Sequence, residues 1–229
     1  MNTIPRALGG AAFVIVASAV VFATVVPTRR DHLTTLAAMA GAEWVDRPAP
    51  NFSLRNLADG STITLESLRG HVVFLNFWGT FCAPCQKEMP SMERLIRTYR
   101  SKGLVMAAVS VDDAEPPIKE FYGRVLPEGS EMVVLHDPPG YECKDGRCLC
   151  SSSKLACVES PIAGPSCEKV CEDSRTSHRY GTYKLPETYI IDAAGRIHSR
   201  FISSRDWEDP KITDYLDQLL ATQSAPSGS

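Results

Sequence analysis

Apolar positions along this chain fall into three patterns: one long run, several short runs, and stretches at helical spacing. The long run covers Ala7 to Val26, twenty residues without a charge, bounded by Arg6 and by Arg29–Arg30. At about 1.5 Å per residue such a run reaches roughly 30 Å, the hydrocarbon thickness of a bilayer. A cleaved secretory signal is the alternative, with Ala17–Ser18–Ala19 or Ala19–Ala23 as its small-residue site. The length of the run and the arginines beyond it favour an uncleaved anchor. Residues 1–30 are therefore expected to be an N-terminal transmembrane anchor, and residues 31–47 a polar, alanine-rich linker.

The short runs begin after Pro48 and Pro50. Asn51–Arg55 reads as a strand, Ala58–Ser61 as a hairpin turn, and Ile63 with Leu65 as the returning strand. Val72–Phe77 (VVFLNF) is continuous and rich in β-formers, as a strand buried on both faces should be. Met89, Met92, Leu95, Ile96 and Tyr99 recur at helical spacing, which predicts an amphipathic helix over 83–101 that Gly103 terminates. Leu104–Val111 predicts a second buried strand, Pro117–Arg124 a helix, and Glu131–Leu135 a third strand. Thr188–Ile191 and Ile197–Ile202 read as a hairpin around Asp192–Gly195. A closing helix over 207–220 places Trp207, Ile212, Tyr215, Leu216 and Leu219 on one face, and residues 222–229 read as a disordered tail. This order predicts an α/β architecture over 48–221, a central mixed β-sheet flanked by helices.

Composition narrows the chemistry. The chain has 229 residues and a formal net charge of −3, with no basic excess to neutralise phosphates, so nucleic acid is not an expected partner. Eight cysteines are unevenly placed: Cys82 and Cys85 form a close pair, and six more crowd between 143 and 171. Clustered thiols of this kind suit an oxidising compartment, where they become disulfides. With the apolar N-terminal run, this predicts a single-pass protein of the cytoplasmic membrane whose folded part faces the periplasm or cell exterior. The five histidines, at 32, 71, 136, 178 and 198, are dispersed and show no ligand spacing.

A C-x-x-C pair at the junction of a buried strand and a helix has a specific logic. The first cysteine lies at the helix N-terminus, where unpaired amides and the macrodipole stabilise an anion. A thiolate forms there below a free cysteine's pKa of about 8.5, which makes Cys82 the expected nucleophile and Cys85 the resolving thiol. Pro84 fits the first helical turn and stiffens the ring. A zinc half-site would need a second knuckle in a loop-rich setting, which the buried strand and long helix do not supply. A peroxidatic cysteine with a threonine three residues ahead is not matched either, since Gly79 holds that position.

The block Phe77–Trp–Gly–Thr–Phe–Cys–Ala–Pro–Cys–Gln–Lys–Glu–Met–Pro90 resembles the active-site segment of TlpA/ResA-type membrane-tethered thioredoxins. Tyr180–Gly–Thr–Tyr–Lys–Leu–Pro–Glu–Thr–Tyr–Ile–Ile–Asp192 is similar to that family's cis-proline segment, with a Pro-Glu-Thr like that of the cytochrome c-maturation members. The resemblance covers 48–135 and 178–221. It implies a thioredoxin-like fold and a thiol-disulfide oxidoreductase with no cofactor beyond the redox-active disulfide Cys82–Cys85. It further implies that Pro186 is cis and exposes the Leu185 backbone to a substrate strand. Where thioredoxin buries an aspartate this chain has Asn76, which cannot take a proton from Cys85; Glu88 occupies the family's acidic position and can tune that transfer. Trp78 is expected to pack over the disulfide, and Trp78, Ala83, Pro84, Leu185 and Glu187 are the expected partner-facing residues.

The family pattern is interrupted over about 138–177 by a Cys-rich insertion containing Cys143, Cys148, Cys150, Cys157, Cys167 and Cys171. With few apolar residues it cannot build its own core, so three structural disulfides are expected; the six cysteines leave fifteen pairings open. A metal site or a redox relay to Cys82–Cys85 is the alternative, although the spacings match no standard ligand set. The expected partners are protein thiols and disulfides of extracytoplasmic clients, a membrane electron donor, and the lipid bilayer through residues 7–26. The leading function is reduction of client disulfides, for example those of apocytochrome c. The alternative is a tethered copper-binding chaperone with Cys82 and Cys85 as soft ligands.

Overall fold

The structure, a computed structural model, describes residues 28–138, 141–144, 147–150 and 175–223, the two short stretches by their backbone alone. In chain order its elements are α1 (Arg29–Met39), β1 (Glu43–Pro48), β2 (Ser53–Asn56), β3 (Thr62–Thr64), β4 (Val72–Trp78), α2 (Ala83–Tyr99), β5 (Leu104–Ser110), α3 (Glu115–Val125) and β6 (Val133–His136). Then follow β7 (Tyr141–Lys144), β8 (Arg147–Cys150), α4 (Thr176–Tyr180), β9 (Glu187–Ile191), β10 (Arg196–Ile202) and α5 (Pro210–Gln223).

The continuous apolar run is β4, buried at every residue, and it lies inside an eight-stranded sheet of order β1-β10-β9-β4-β5-β6-β2-β3. β4, β5 and β6 run parallel, whereas β9 pairs antiparallel with β4. Alternation along β4 divides the core. Val72, Phe74 and Trp78 face the layer built by α1, α2, α3 and α5, and Val73, Leu75 and Phe77 face Phe52, Leu54, Tyr180 and Tyr189 on the other side. This is a thioredoxin-like α/β fold with a mixed central sheet, as the resemblance implied.

The sheet brings the chemistry to one edge. Trp78 pairs with Ser110 and Ser110 with His136, so the three parallel strands end together. The C-x-x-C segment leaves from the end of β4, and the insertion leaves from the end of β6. β9 enters from the same edge, since Glu187 pairs with Phe77. The neck of the insertion is fastened there. The Asp137 carboxylate accepts from the backbone N–H of Thr176 at 2.9 Å and of Ser177 at 3.0 Å. Arg175 Nη1 donates to the carbonyls of Val111 (2.7 Å) and Asp137 (2.9 Å). The insertion therefore departs and returns at one point beside the active-site edge.

Three expectations need correction. Residues 31–47 are not a linker: they hold most of α1 and β1. Thr28 and Asp31 form a reciprocal capping box that starts α1, Leu33, Leu36 and Ala37 are buried against the core, and β1 pairs with β10 as an edge strand. The helix was masked by its alanines, which give little contrast between faces. The closing helix starts at Pro210 rather than 207, so Trp207 belongs to the preceding loop, and Thr222 and Gln223 are helical rather than tail. The C-terminal end of the insertion is also shorter than expected, because α4 begins at Thr176. Among the described residues no helix is long and apolar enough to cross a membrane; the expected anchor, the rest of the tail, and Cys157, Cys167 and Cys171 lie outside the described residues. For Cys143, Cys148 and Cys150 the backbone alone is described, in a hairpin that sets Cys143 opposite Cys148.

Candidate active site

Cys82 is the N-cap of α2, and its sulfur accepts from the backbone N–H of Cys85 at 3.3 Å. Pro84 occupies the first turn, where its missing N–H removes no helical bond. Cys82 and Cys85 are joined by a disulfide, with Cα atoms 5.3 Å apart. The two sulfurs differ in access. Cys82 is 8% exposed, Cys85 only 1%, so an incoming partner meets Cys82 first. Ala83 and Pro84 are exposed beside it, as a partner-facing role requires.

The loop ahead of Cys82 is held from β5. The Asp112 carboxylate accepts from the Thr80 N–H (2.9 Å) and hydroxyl, and from the Ser110 hydroxyl at 2.6 Å. Gln86 Nε2 donates to the Thr80 carbonyl at 2.6 Å from the helix side. Gly79 lets the exposed Phe81 ring lie close to the backbone, since a Cβ there would fall 2.7 Å from it and turn the ring aside. Asp112 was missed by sequence reading; its signal was an acidic residue directly after a buried parallel strand.

The Leu185–Pro186 peptide is cis. It directly precedes Glu187, the partner of Phe77 across the sheet, so it lies beside the Trp78–Gly79 end of β4. Leu185 is half-buried and packs against both halves of the core. Phe81 and Tyr183, one before Cys82 and one in the cis-proline loop, are each 71% exposed.

Two expected partner contacts are overturned. Trp78 is fully buried, with its ring 5.3 Å from Phe121 and 5.2 Å from Tyr122. It belongs to the same core cluster as the two cysteines and offers a partner no surface. Glu187 is fully buried as well. Its carboxylate accepts from the Tyr189 hydroxyl at 2.6 Å and from the Tyr183 N–H at 3.4 Å, with Arg200 at 3.5 Å. It shapes the cis-proline loop from inside. Strand alternation alone could not show this, because β9 is covered on both faces.

Glu88 sits one turn after Cys85 on α2 and is 2% exposed. Its Oε1 accepts from Asn76 Nδ2 at 3.0 Å; its Oε2 accepts from Trp207 Nε1 at 3.0 Å and from the Arg205 N–H at 3.3 Å. Asn76 Nδ2 also donates to Thr188 Oγ1 at 2.9 Å, and Asn76 Oδ1 has no partner. Burial raises the pKa of this carboxyl to about 7, against the pull of the Trp207, Arg205 and Asn76 donors and the Arg205 charge. A carboxyl so placed can both take and return a proton at neutral pH. Trp207 and Arg205 were not recognised as site residues, since they come from the β10–α5 loop, more than a hundred positions away in sequence.

The comparisons agree with this geometry. The Redoxin family model matches residues 45–145. The thiol-disulfide oxidoreductase ResA of Bacillus cereus is 46% identical over 175 residues, covering 76% of this chain and 78% of that one. ResA of Bacillus anthracis is 43% identical over the same shares. Among solved structures, a thiol:disulfide interchange protein DsbE of Chlorobium tepidum has a TM-score of 0.56 at 21% identity, covering 78% of this chain and 99% of that one. A thioredoxin of Neisseria meningitidis has a TM-score of 0.52 at 19% identity, covering 80% and 95%; both show the fold. Identity of 43–46% to ResA over 76% of this chain places it in the ResA family of thiol-disulfide oxidoreductases.

Proposed function

We propose that this protein reduces disulfides of partner proteins outside the cytoplasm, in a role of the cytochrome c-maturation type, and is itself reduced by a membrane electron donor. The observation that carries the reading is the asymmetry of the pair: the less buried cysteine caps a helix N-terminus, and the more deeply buried one lies a single turn from a carboxyl with neutral proton affinity. The Cys82 thiolate attacks a client disulfide, forming a mixed disulfide and expelling the client's second sulfur, which takes up a proton. Cys85 gives its proton to the Glu88 carboxylate and attacks Cys82 Sγ. The client leaves as a dithiol and the protein is left as the Cys82–Cys85 disulfide. Two electrons and two protons from the donor restore it. The backbone of Leu185, at the cis peptide, aligns an extended client segment in this reading, and the exposure of Ala83 and Pro84 beside Cys82 supports their contact with the client.

Residues 7–26 are proposed as the bilayer anchor. Because α1 begins at Arg29, the redox domain would then stand close to the membrane surface rather than at the end of a spacer. The fastened neck of the insertion supports a role for it in partner choice.

The Cys85→Ala variant tests the reading. It is expected to accumulate a mixed disulfide through Cys82 with a client, resolved by dithiothreitol; a copper chaperone would instead lose metal and trap nothing. A reductant is also expected to have a midpoint potential nearer thioredoxin's about −270 mV than DsbA's about −120 mV. A potential at the oxidising end of that range refutes the direction.

A further inference from the structure

Arg205 is a half-buried cation in the loop between β10 and α5. Its Nη2 donates to the Ile202 carbonyl at 3.0 Å and its Nη1 reaches the Ala40 carbonyl at 3.4 Å, just past the end of α1. The guanidinium lies over the rings of Phe201 at 4.6 Å and Trp207 at 5.6 Å. Its Nε is buried with no hydrogen-bond partner, and among the described residues no acidic group makes an ion pair with it. Leaving a guanidinium donor buried and unpaired is costly, so this placement calls for a compensating interaction. The backbone of the same residue supplies the direction: its N–H donates to Glu88 Oε2.

The groups around Glu88 identify that interaction. β4 presents Asn76 and β9 presents Thr188, both uncharged. α2, its own helix, contributes Ser91, whose hydroxyl donates to the Glu88 carbonyl at 2.8 Å. The β10–α5 loop presents the Trp207 indole and Arg205. Arg205 is thus the charged side chain brought to this cluster: its guanidinium lies over the ring of Trp207, whose Nε1 donates to the carboxyl, and the aromatic rings and two carbonyls hold it there. Gly41 makes room on the α1 side, since a Cβ there would lie 3.3 Å from Nη1 at a φ of +78°.

We propose that Arg205 is a positioning residue for the proton step, its charge balancing the Glu88 carboxylate, and that the turn after α1 seats it. This rests on the reading that Glu88 exchanges a proton with Cys85. It also gives the N-terminal elements a part in the chemistry: the segment leading from the proposed anchor touches the redox site through one guanidinium. Displacing α1 would weaken the seat and raise the proton affinity of Glu88.

The test follows the Glu88 side-chain carboxyl by carbon NMR through a pH titration of the full chain, the signal being assigned by its loss in Glu88→Gln. Arg205→Gln and Arg205→Met, two neutral replacements that retain the backbone N–H, are expected to move the midpoint up by about one pH unit, tenfold in proton affinity. Arg205→Lys is expected to restore most of it, and Gly41→Ala to give a smaller shift of the same sign. An unmoved midpoint in either folded neutral variant overturns the proposal, as does a lysine variant that shifts as far as glutamine. An unmoved midpoint in Gly41→Ala overturns the part assigned to α1. The rate of disulfide reduction by dithiothreitol is measured alongside: if Glu88→Gln leaves its pH dependence unchanged, the proton role of Glu88 fails, whatever Arg205 does to the midpoint.

Discussion

Replacing Glu88 with glutamine is expected to stabilise the protein, by an amount that depends on pH. In the folded chain burial raises this carboxyl to about 7 from an ordinary 4.5. Between those values the folded state retains a proton that the unfolded chain has released. Stability therefore falls as pH rises from about 4.5 to about 7, and the loss is complete above that. At about 1.4 kcal/mol per unit, the ionised carboxylate costs roughly 3 kcal/mol. Glutamine keeps the shape and matches the neutral acid. Its oxygen can accept from Trp207 Nε1 and the Arg205 N–H, and its amide can face Asn76, whose Oδ1 has no partner and is free to turn toward it. Equilibrium urea denaturation of the oxidised proteins reads the difference, with an unchanged m-value as the check that the same surface unfolds. Other titrating groups are common to both and cancel. The expected difference is near zero at about pH 4 and roughly 2–3 kcal/mol in favour of glutamine at about pH 8. A difference that does not change with pH, or one that favours the wild type increasingly as pH rises, refutes the reasoning.

Two further substitutions probe the frame around the pair. Asp112→Ala removes the acceptor for the Thr80 N–H, the Thr80 hydroxyl and the Ser110 hydroxyl; a loss of roughly 2–4 kcal/mol in urea denaturation is expected, with slower exchange at Cys82 because its leading loop is released. A loss under about 0.5 kcal/mol would mean that Asp112 does not hold that loop. Leu33→Ala, at a side chain 6% exposed in α1, is expected to cost roughly 2–3 kcal/mol. A flexible spacer would give no measurable change.

The sequence by itself was enough for the central strand, the C-x-x-C helix and their order, because each depends on local signals; the cis-proline segment came from the family resemblance. A continuous β-branched and aromatic run, a proline in a first helical turn and a glycine stop act over a few residues, and the mixed sheet follows from their succession. It also pointed to Cys82 and Cys85, which form a compact motif, while Glu88 and Pro186 were pointed to by the family resemblance. What the tertiary structure decided is which polar groups meet. Glu88 takes its neutral proton affinity from burial, opposed by donors from Asn76, Trp207 and Arg205, drawn from β4 and a loop near the C-terminus, and no spacing rule links those positions. Trp78 and Glu187 stand beside the catalytic motifs in sequence, yet they face inward because α3 and the cis-proline loop cover them. Residues 31–47 look like a spacer when read alone, since their alanines and lone aromatic give a weak period. They become helix and strand because α5 and β10 offer a face and an edge to bury them. Local propensity starts elements; burial against distant partners completes the weak ones and sets the proton affinity of the site.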